Sequence, residues 1–321
     1  MQILKRDLDN IVNFKEKMLE YVRDLRNIIQ NIPFDDDELG DLLLSACRSN
    51  DFEVISLQGK KMFLNEDRVL SWIKEKILPN TVIVKLNDED IIRSLIFCIE
   101  ITYQMFAGGT RATVTAKGFR ERKRTFEAIL VDQFVGKVGE VMIKKFLESR
   151  FPVKIELDWE ISRQIEKYRN DIMNAKKNVS IKSSSNLASI WAEAAIGYDY
   201  GIMVKCSVPH AVILQFFIEV CGFSRLLDFA EGKISPDDKL FREYLDKIKE
   251  RIKNYKCGEV QTNLKGIICG YFRTSPSLLR AKGEKLDYLG EVREERYLLS
   301  IRELKWTKND WEKFLKEVEL I

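Results

Sequence analysis

The sequence predicts an α/β protein, a central mixed β-sheet flanked by helices behind a mainly helical N-terminal region. Three observations point there. Apolar residues recur at helical spacing over residues 1–32 and 126–147. Alternating or continuous apolar runs at 153–157, 199–208, 264–273 and 296–302 read as strands. Hydrophobic residues make up 45% and charged residues 32% of a 321-residue chain, a balance that suits a sizeable packed core.

In chain order, Leu4, Leu8, Ile11, Phe14, Met18, Val22, Leu25 and Ile29 form the first helical stripe, which Pro33 ends. The acidic run Asp35–Glu38 precedes an apolar stretch and reads as a helix start rather than a metal cluster. Residues 52–64 alternate around Gly59 as a small hairpin, helical patterns follow at 66–77 and 88–106, and Val82–Val84 is extended. Residues 1–105 therefore form a mainly helical accessory region, and residues 106–321 carry the rest. Beyond the helix at 126–147, residues 161–169 suit a short helix and 187–198 look helical or mixed. Residues 199–208 and 211–220 are buried apolar elements. Ser235-Pro-Asp-Asp238 caps a helix to about Tyr255, and Thr307-Lys-Asn-Asp310 caps a last one ending near Leu320.

Composition narrows the chemistry. No apolar run reaches the ~20 residues of a membrane span. Met1–Asp7 lacks the apolar core of a signal peptide, so a cytoplasmic protein with no membrane contact is expected. The net charge of +3 is small, so the distribution of charge matters more than its sum. Six cysteines without a C-x-x-C pair fit buried reduced thiols. His210 is the only histidine, which argues against a His-based metal site or a Ser-His-Asp triad.

Charge does concentrate between Ala107 and Arg124. Arg111, Lys117, Arg120, Arg122, Lys123 and Arg124 stand among glycines and threonines, with Glu121 the lone acid. Basic side chains, hydroxyls and backbone amides all contact phosphates, and glycine admits close approach. The stretch reads as a DNA-contacting loop, or else as a solvated basic face.

Directly downstream lie the residues that suggest a reaction. Glu140 follows Gly136-Lys-Val-Gly139 on a helix, Asp171 follows Asn170, and Lys182 closes Ser180-Ile-Lys182. A hairpin with its turn at Ala175–Asn178, pairing Asn174 with Val179, sets Asp171 opposite Lys182. It also puts Asp171, Ser180 and Lys182 on one face. Carboxylates with a nearby lysine suit phosphodiester hydrolysis. The carboxylates hold a hard cation such as Mg²⁺, and the lysine stabilises charge and orients water.

Gly136-x-x-Gly139-Glu140, Asp171 and Ser180-Ile-Lys182 resemble, in this order, the PD-(D/E)XK nuclease superfamily, and within it the type II restriction endonucleases. The resemblance covers roughly residues 130–205. Asn170 stands where proline often precedes the aspartate, and Ser180 replaces the second acid. Some restriction enzymes with Ser-x-Lys recover that carboxylate from a glutamate on the following helix, a part Glu193 fits. The resemblance implies a restriction-endonuclease-like core and a Mg²⁺-dependent endonuclease, for which Mn²⁺ can substitute. Asp171, Glu140 and Glu193 would be its metal ligands, Lys182 its catalytic cation, and double-stranded DNA its partner. Cleavage at a palindromic site by a homodimer is the expectation, since two-fold symmetry matches such a site. A junction resolvase or repair nuclease of the same superfamily, a non-catalytic DNA-binding module and a protein-interaction scaffold are the alternatives.

Overall fold

A computed structural model describes residues 1–59, 61–86, 88–106, 126–160, 170–208, 230–254 and 263–321. The chain divides into two compact units, Met1–Ser207 with Leu264–Ile321, and the inserted Val208–Asn263. The first unit spans the expected division at residues 105 and 106. The expected short helix at 161–169, the apolar element at 211–220 and His210 lie outside the described residues.

The first unit opens with β1 (Gln2–Ile3), α1 (Lys5–Asp9) and α2 (Ile11–Ile28). The single helical stripe read from the sequence is thus interrupted. Asn10 takes extended backbone and caps α2 by accepting from Asn13 N at 3.1 Å. In α3 (Asp36–Ser49), Asp35 and Glu38 form a reciprocal capping box, each bond 2.8 Å, so the acidic run is a helix start as expected. β2 (Ile55–Gln58) and β3 (Lys61–Leu64) form the expected hairpin, with Gly59 at φ +63° in its turn. After α4 (Glu66–Ser71) the chain winds through a π-helical turn at Trp72–Ile77 into β4 (Thr81–Lys85).

α5 (Glu89–Phe106) and α6 (Phe126–Glu148) pack together, tied by Lys144–Asp90 at 2.9 Å and Lys145–Asp88 at 2.8 Å. β5 (Val179–Ser184), β6 (Trp191–Ala195) and β7 (Tyr200–Ser207) follow. β6 replaces the helical or mixed reading of 187–198. The inserted unit contains α7 (Lys239–Asn254). Then come β8 (Asn263–Arg273), the short β9 (Leu279–Arg280), β10 (Lys285–Leu286) and β11 (Gly290–Glu291), β12 (Arg296–Ser300), and α8 (Lys308–Glu317) with its expected Thr307–Asp310 capping box.

The main sheet has the order β4-β8-β7-β5, with β5 parallel and β8 antiparallel to β7. It is a mixed sheet, as the α/β reading requires. β6, β12 and β9 form a second sheet. One face of the main sheet takes α6, where Cys206 Sγ lies 3.9 Å from Met142 Sδ. Met203, Ile267, Cys269 and Phe272 instead join a core with α2, α3, the 72–77 turn and Ala192 and Ala194 of β6. The helices of residues 1–105 therefore cover the sheet rather than stand apart from it. Phe146, Tyr200, Tyr271, Trp311 and Phe314 build a second cluster with centroids 4.9 to 5.6 Å apart. Cys47, Cys98, Cys206 and Cys269 are buried free thiols. Among the described residues no helix is long and apolar enough to cross a membrane.

Candidate active site

α6, the turn before β5 and β5 itself bring three of the predicted residues together. Gly139 lets α6 lie against β5, because a Cβ there would stand 1.7 Å from Ser183 Oγ and 2.8 Å from Ser183 Cβ. Ser183 Oγ in turn donates to Gly136 O at 3.4 Å. Gly139 is thus the point of close approach, while a Cβ at Gly136 would meet open space and that residue contributes only its carbonyl; the contact carries Glu140 to the sheet. Gly139→Ala is expected to cost about 1–3 kcal/mol through overpacking, less the gain in helix propensity. Adding Ser183→Gly removes the obstructing atoms. Urea denaturation of the single and double variants checks this, and equal stabilities would disprove the close-approach role.

The hairpin expected around Asp171 takes another form. Asn170 acts as a four-bond knot. Its Nδ2 donates to Ala175 O at 3.1 Å and Lys177 O at 3.0 Å, while its Oδ1 accepts from Ile172 N at 3.2 Å and Val179 N at 3.0 Å. These bonds fold 170–179 into a compact turn, so Asn174 does not pair with Val179. Asp171 N donates to Val179 O at 3.0 Å, and Asp171 Oδ2 accepts from Ile181 N at 2.6 Å. β5 spends its ladder on parallel β7 instead. Asp171 still reaches Lys182, but through the turn rather than a cross-strand pair. Val153–Leu157 contributes only an isolated bridge, Leu157 to Ile172.

Electrostatics couples the three. Burial pushes the Glu140 carboxyl up to about 8, with Lys137 opposing and the charges of Asp171 and Asp158 adding. Burial also raises Asp171, against the Ile181 hydrogen bond and the charges of Lys182 and Lys137. Two carboxylates that resist ionisation beside each other make a site that gains from a cation. No group of three or more His, Cys, Asp or Glu among the described residues is arranged to hold a metal ion.

Two residues escaped sequence reading. Lys137 Nζ binds Glu140 Oε2 at 2.7 Å and also donates to the Asp158 carbonyl. It lies 4.6 Å from the Phe97 ring centroid and 5.2 Å from that of Trp159. Its place three residues before Glu140 on the same helix was the available signal. Asp158 closes the strand pattern at 153–157, and nothing in its spacing marked it. Lys182 has no ion-pair partner among the described residues, and its charge favours the ionised form of Asp171.

Glu193 and Ser180 stand differently. Glu193 lies on β6, where Ala192 and Ala194 turn inward to the core, so it faces the other way. There it accepts from Arg296 Nη1 at 2.5 Å. The charges weighing most on Glu140 and Asp171 do not include it. Ser180 is 1% exposed, and its Oγ has no hydrogen-bond partner. Arg111, Lys117, Arg120, Arg122, Lys123 and Arg124 lie outside the described residues. The sequence matches no protein family and no curated protein, and the fold matches no solved structure.

Proposed function

We propose that the protein is a Mg²⁺-dependent endonuclease that hydrolyses phosphodiester bonds of double-stranded DNA, as a site-specific type II restriction enzyme acting as a homodimer. The observation that carries the reading is the convergence of Glu140 from α6, Asp171 from its knotted turn and Lys182 from β5. The order helix, turn aspartate, strand lysine on a mixed sheet supports a restriction-endonuclease-like core.

In this reading Glu140 and Asp171 would hold Mg²⁺, which supplies charge for the phosphate and an activated water when bound. Lys182 projects its ammonium toward the scissile phosphate and stabilises the charge that develops there. Lys137 holds Glu140 in place by their ion pair, and Phe97 and Trp159 shield that pair from water. Arg111, Lys117, Arg120, Arg122, Lys123 and Arg124 grip the duplex ahead of the site.

Incubation of the protein with plasmid DNA and Mg²⁺ tests this. Discrete fragments are expected. Cutting confined to branched DNA would assign a resolvase, and binding without cutting a DNA-binding module. The place of Glu193 has its own test. As third carboxylate it must leave Arg296, and Glu193→Ala is then expected to abolish cleavage while DNA binding persists. Near-native cleavage would confine Glu193 to pairing with Arg296.

A further inference from the structure

We propose that three interlocked loops around Asp171 form a second DNA-contacting surface, which takes the sugar-phosphate backbone of a duplex beside the bond to be cut. This rests on the endonuclease reading. The loops are residues 170–178, 196–199 and 273–278, and hydrogen bonds join them into one rim. Asn178 N donates to Asp199 Oδ2 at 2.9 Å, and Asn178 Nδ2 to Gly197 O at 3.2 Å. Thr274 N donates to Asp199 O at 2.9 Å, and Thr274 Oγ1 to Tyr198 O at 2.7 Å. The first loop is braced from behind as well. Met173 N donates to Glu156 O at 2.7 Å, and Lys176 N to Val318 O at 3.0 Å. With the four Asn170 bonds, these contacts make the rim a fixed platform, and Asp171 stands within it.

The rim shows to solvent what a nucleic-acid backbone needs. Lys176, Lys177 and Arg273 are exposed, and none makes an ion pair among the described residues. Their charge is not cancelled within the rim, where Asp171 and Asp199 are the only acids. Asp171 belongs to the site itself, and Asp199 spends Oδ2 on Asn178 N. The nearby end of α8 carries Glu317, which accepts from Tyr200 Oη at 2.7 Å. Met173 and Ile196, 48% and 55% exposed, add apolar surface of the kind that meets base edges in a groove. Position selects the partner. The compact turn that holds Asp171 also carries Lys176 and Lys177 five and six residues on, so a duplex that brings a phosphate to Asp171 passes over these cations. An acidic protein surface would match the charge, but nothing would tie it to Asp171.

Fluorescence anisotropy of a labelled DNA duplex in EDTA, repeated over a range of salt concentrations, tests this without cleavage. The native protein is expected to bind, each phosphate contact adding about 0.9 to the fall of log K with log salt. The triple variant Lys176→Gln, Lys177→Gln, Arg273→Gln is expected to bind about tenfold or more weakly and to lose about 2–3 from that slope. Lys177→Gln alone is expected to lose about 1, and it decides the matter if the triple variant does not fold. The control removes equal charge from Lys61, Lys74 and Lys85, which are exposed on other elements, and is expected to leave the slope close to native. A native protein that binds no duplex, a folded triple variant with the native slope, or a control that loses as much would overturn the proposal. Plasmid cleavage in Mg²⁺ is scored separately. Binding that weakens in the triple variant while the native protein cuts no DNA would keep the surface and sink the endonuclease reading. Cleavage together with an unchanged slope would do the reverse.

Discussion

Asp171→Asn is expected to lower Mg²⁺-dependent DNA cleavage by about 100-fold or more while leaving thermal unfolding close to native. The two effects separate because Asp171 does two things. Its Oδ2 accepts from Ile181 N at 2.6 Å, which fixes the turn to β5. Its charge stands next to Lys182 and near Glu140. Asparagine keeps an oxygen acceptor of the same reach and removes only the charge. Burial already disfavours that charge, so a neutral side chain meets no folding penalty there. Asp171→Ala would also orphan the Ile181 N–H at a cost of about 1–3 kcal/mol, and would confuse lost activity with lost structure. Lys182→Met is the companion change, since Lys182 makes no ion pair among the described residues. Plasmid cleavage rates beside melting curves decide the matter. An Asp171→Asn protein that cuts at the native rate would remove Asp171 from the reaction.

The charge pattern around that residue gives the two lysines different roles. Lys137 is committed, being bound to Glu140 and to the Asp158 carbonyl beneath two aromatic rings. Lys182 makes no ion pair among the described residues, and its charge acts on Asp171. A lysine fixed among protein acceptors positions its carboxylate partner, whereas one without a partner can meet a phosphate. The buried Ser180 hydroxyl, which has no hydrogen-bond partner among the described residues, lies two residues before Lys182.

How far this arrangement was legible follows from which interactions are local. The α6 stripe, the two capping boxes and the Gly59 hairpin depend on neighbours within a few residues, and the chain declares them. Asp171 and Lys182 could be placed together because a short turn joins them. The register could not, because it is set by Asn170 side-chain bonds that compete with a ladder and by the choice of β7 as partner. Residues 187–198 misled for a related reason. Trp-Ala-Glu-Ala-Ala has good helix formers, but pairing with β12 one hundred residues later overrides that propensity. α2 and α3 bury their stripes against strands that come after residue 105. No local pattern records such packing.

Lys205→Met is expected to abolish a rise in stability that the native protein shows above about pH 8. Lys205 lies on β7, is 2% exposed, and donates to Ser45 Oγ at 2.6 Å and Leu187 O at 2.7 Å. Both acceptors are neutral, and among the described residues no carboxylate pairs with it. Burial therefore pulls its ammonium down from the usual 10.5 to about 8, despite the charges of Asp51 and Asp41. The sign is fixed by proton counting. Between about pH 8 and 10.5 the unfolded chain keeps the proton and the folded chain has lost it, so stability climbs with pH across that window. The gain is on the order of 3 kcal/mol when complete. Buried Cys47, Cys98 and Cys206, whose thiols burial raises, act in the opposite direction above pH 9. The native curve alone mixes these terms. The difference between native and Lys205→Met urea midpoints, taken from pH 7.5 to 10, isolates the lysine. Methionine keeps most of the buried volume but orphans Leu187 O, which costs about 1–3 kcal/mol at every pH. The expected result is therefore a variant that compares best with the native protein near neutrality and falls behind as pH rises. A constant difference across the range would mean that Lys205 is still charged in the fold at pH 10, and would disprove a titration near 8.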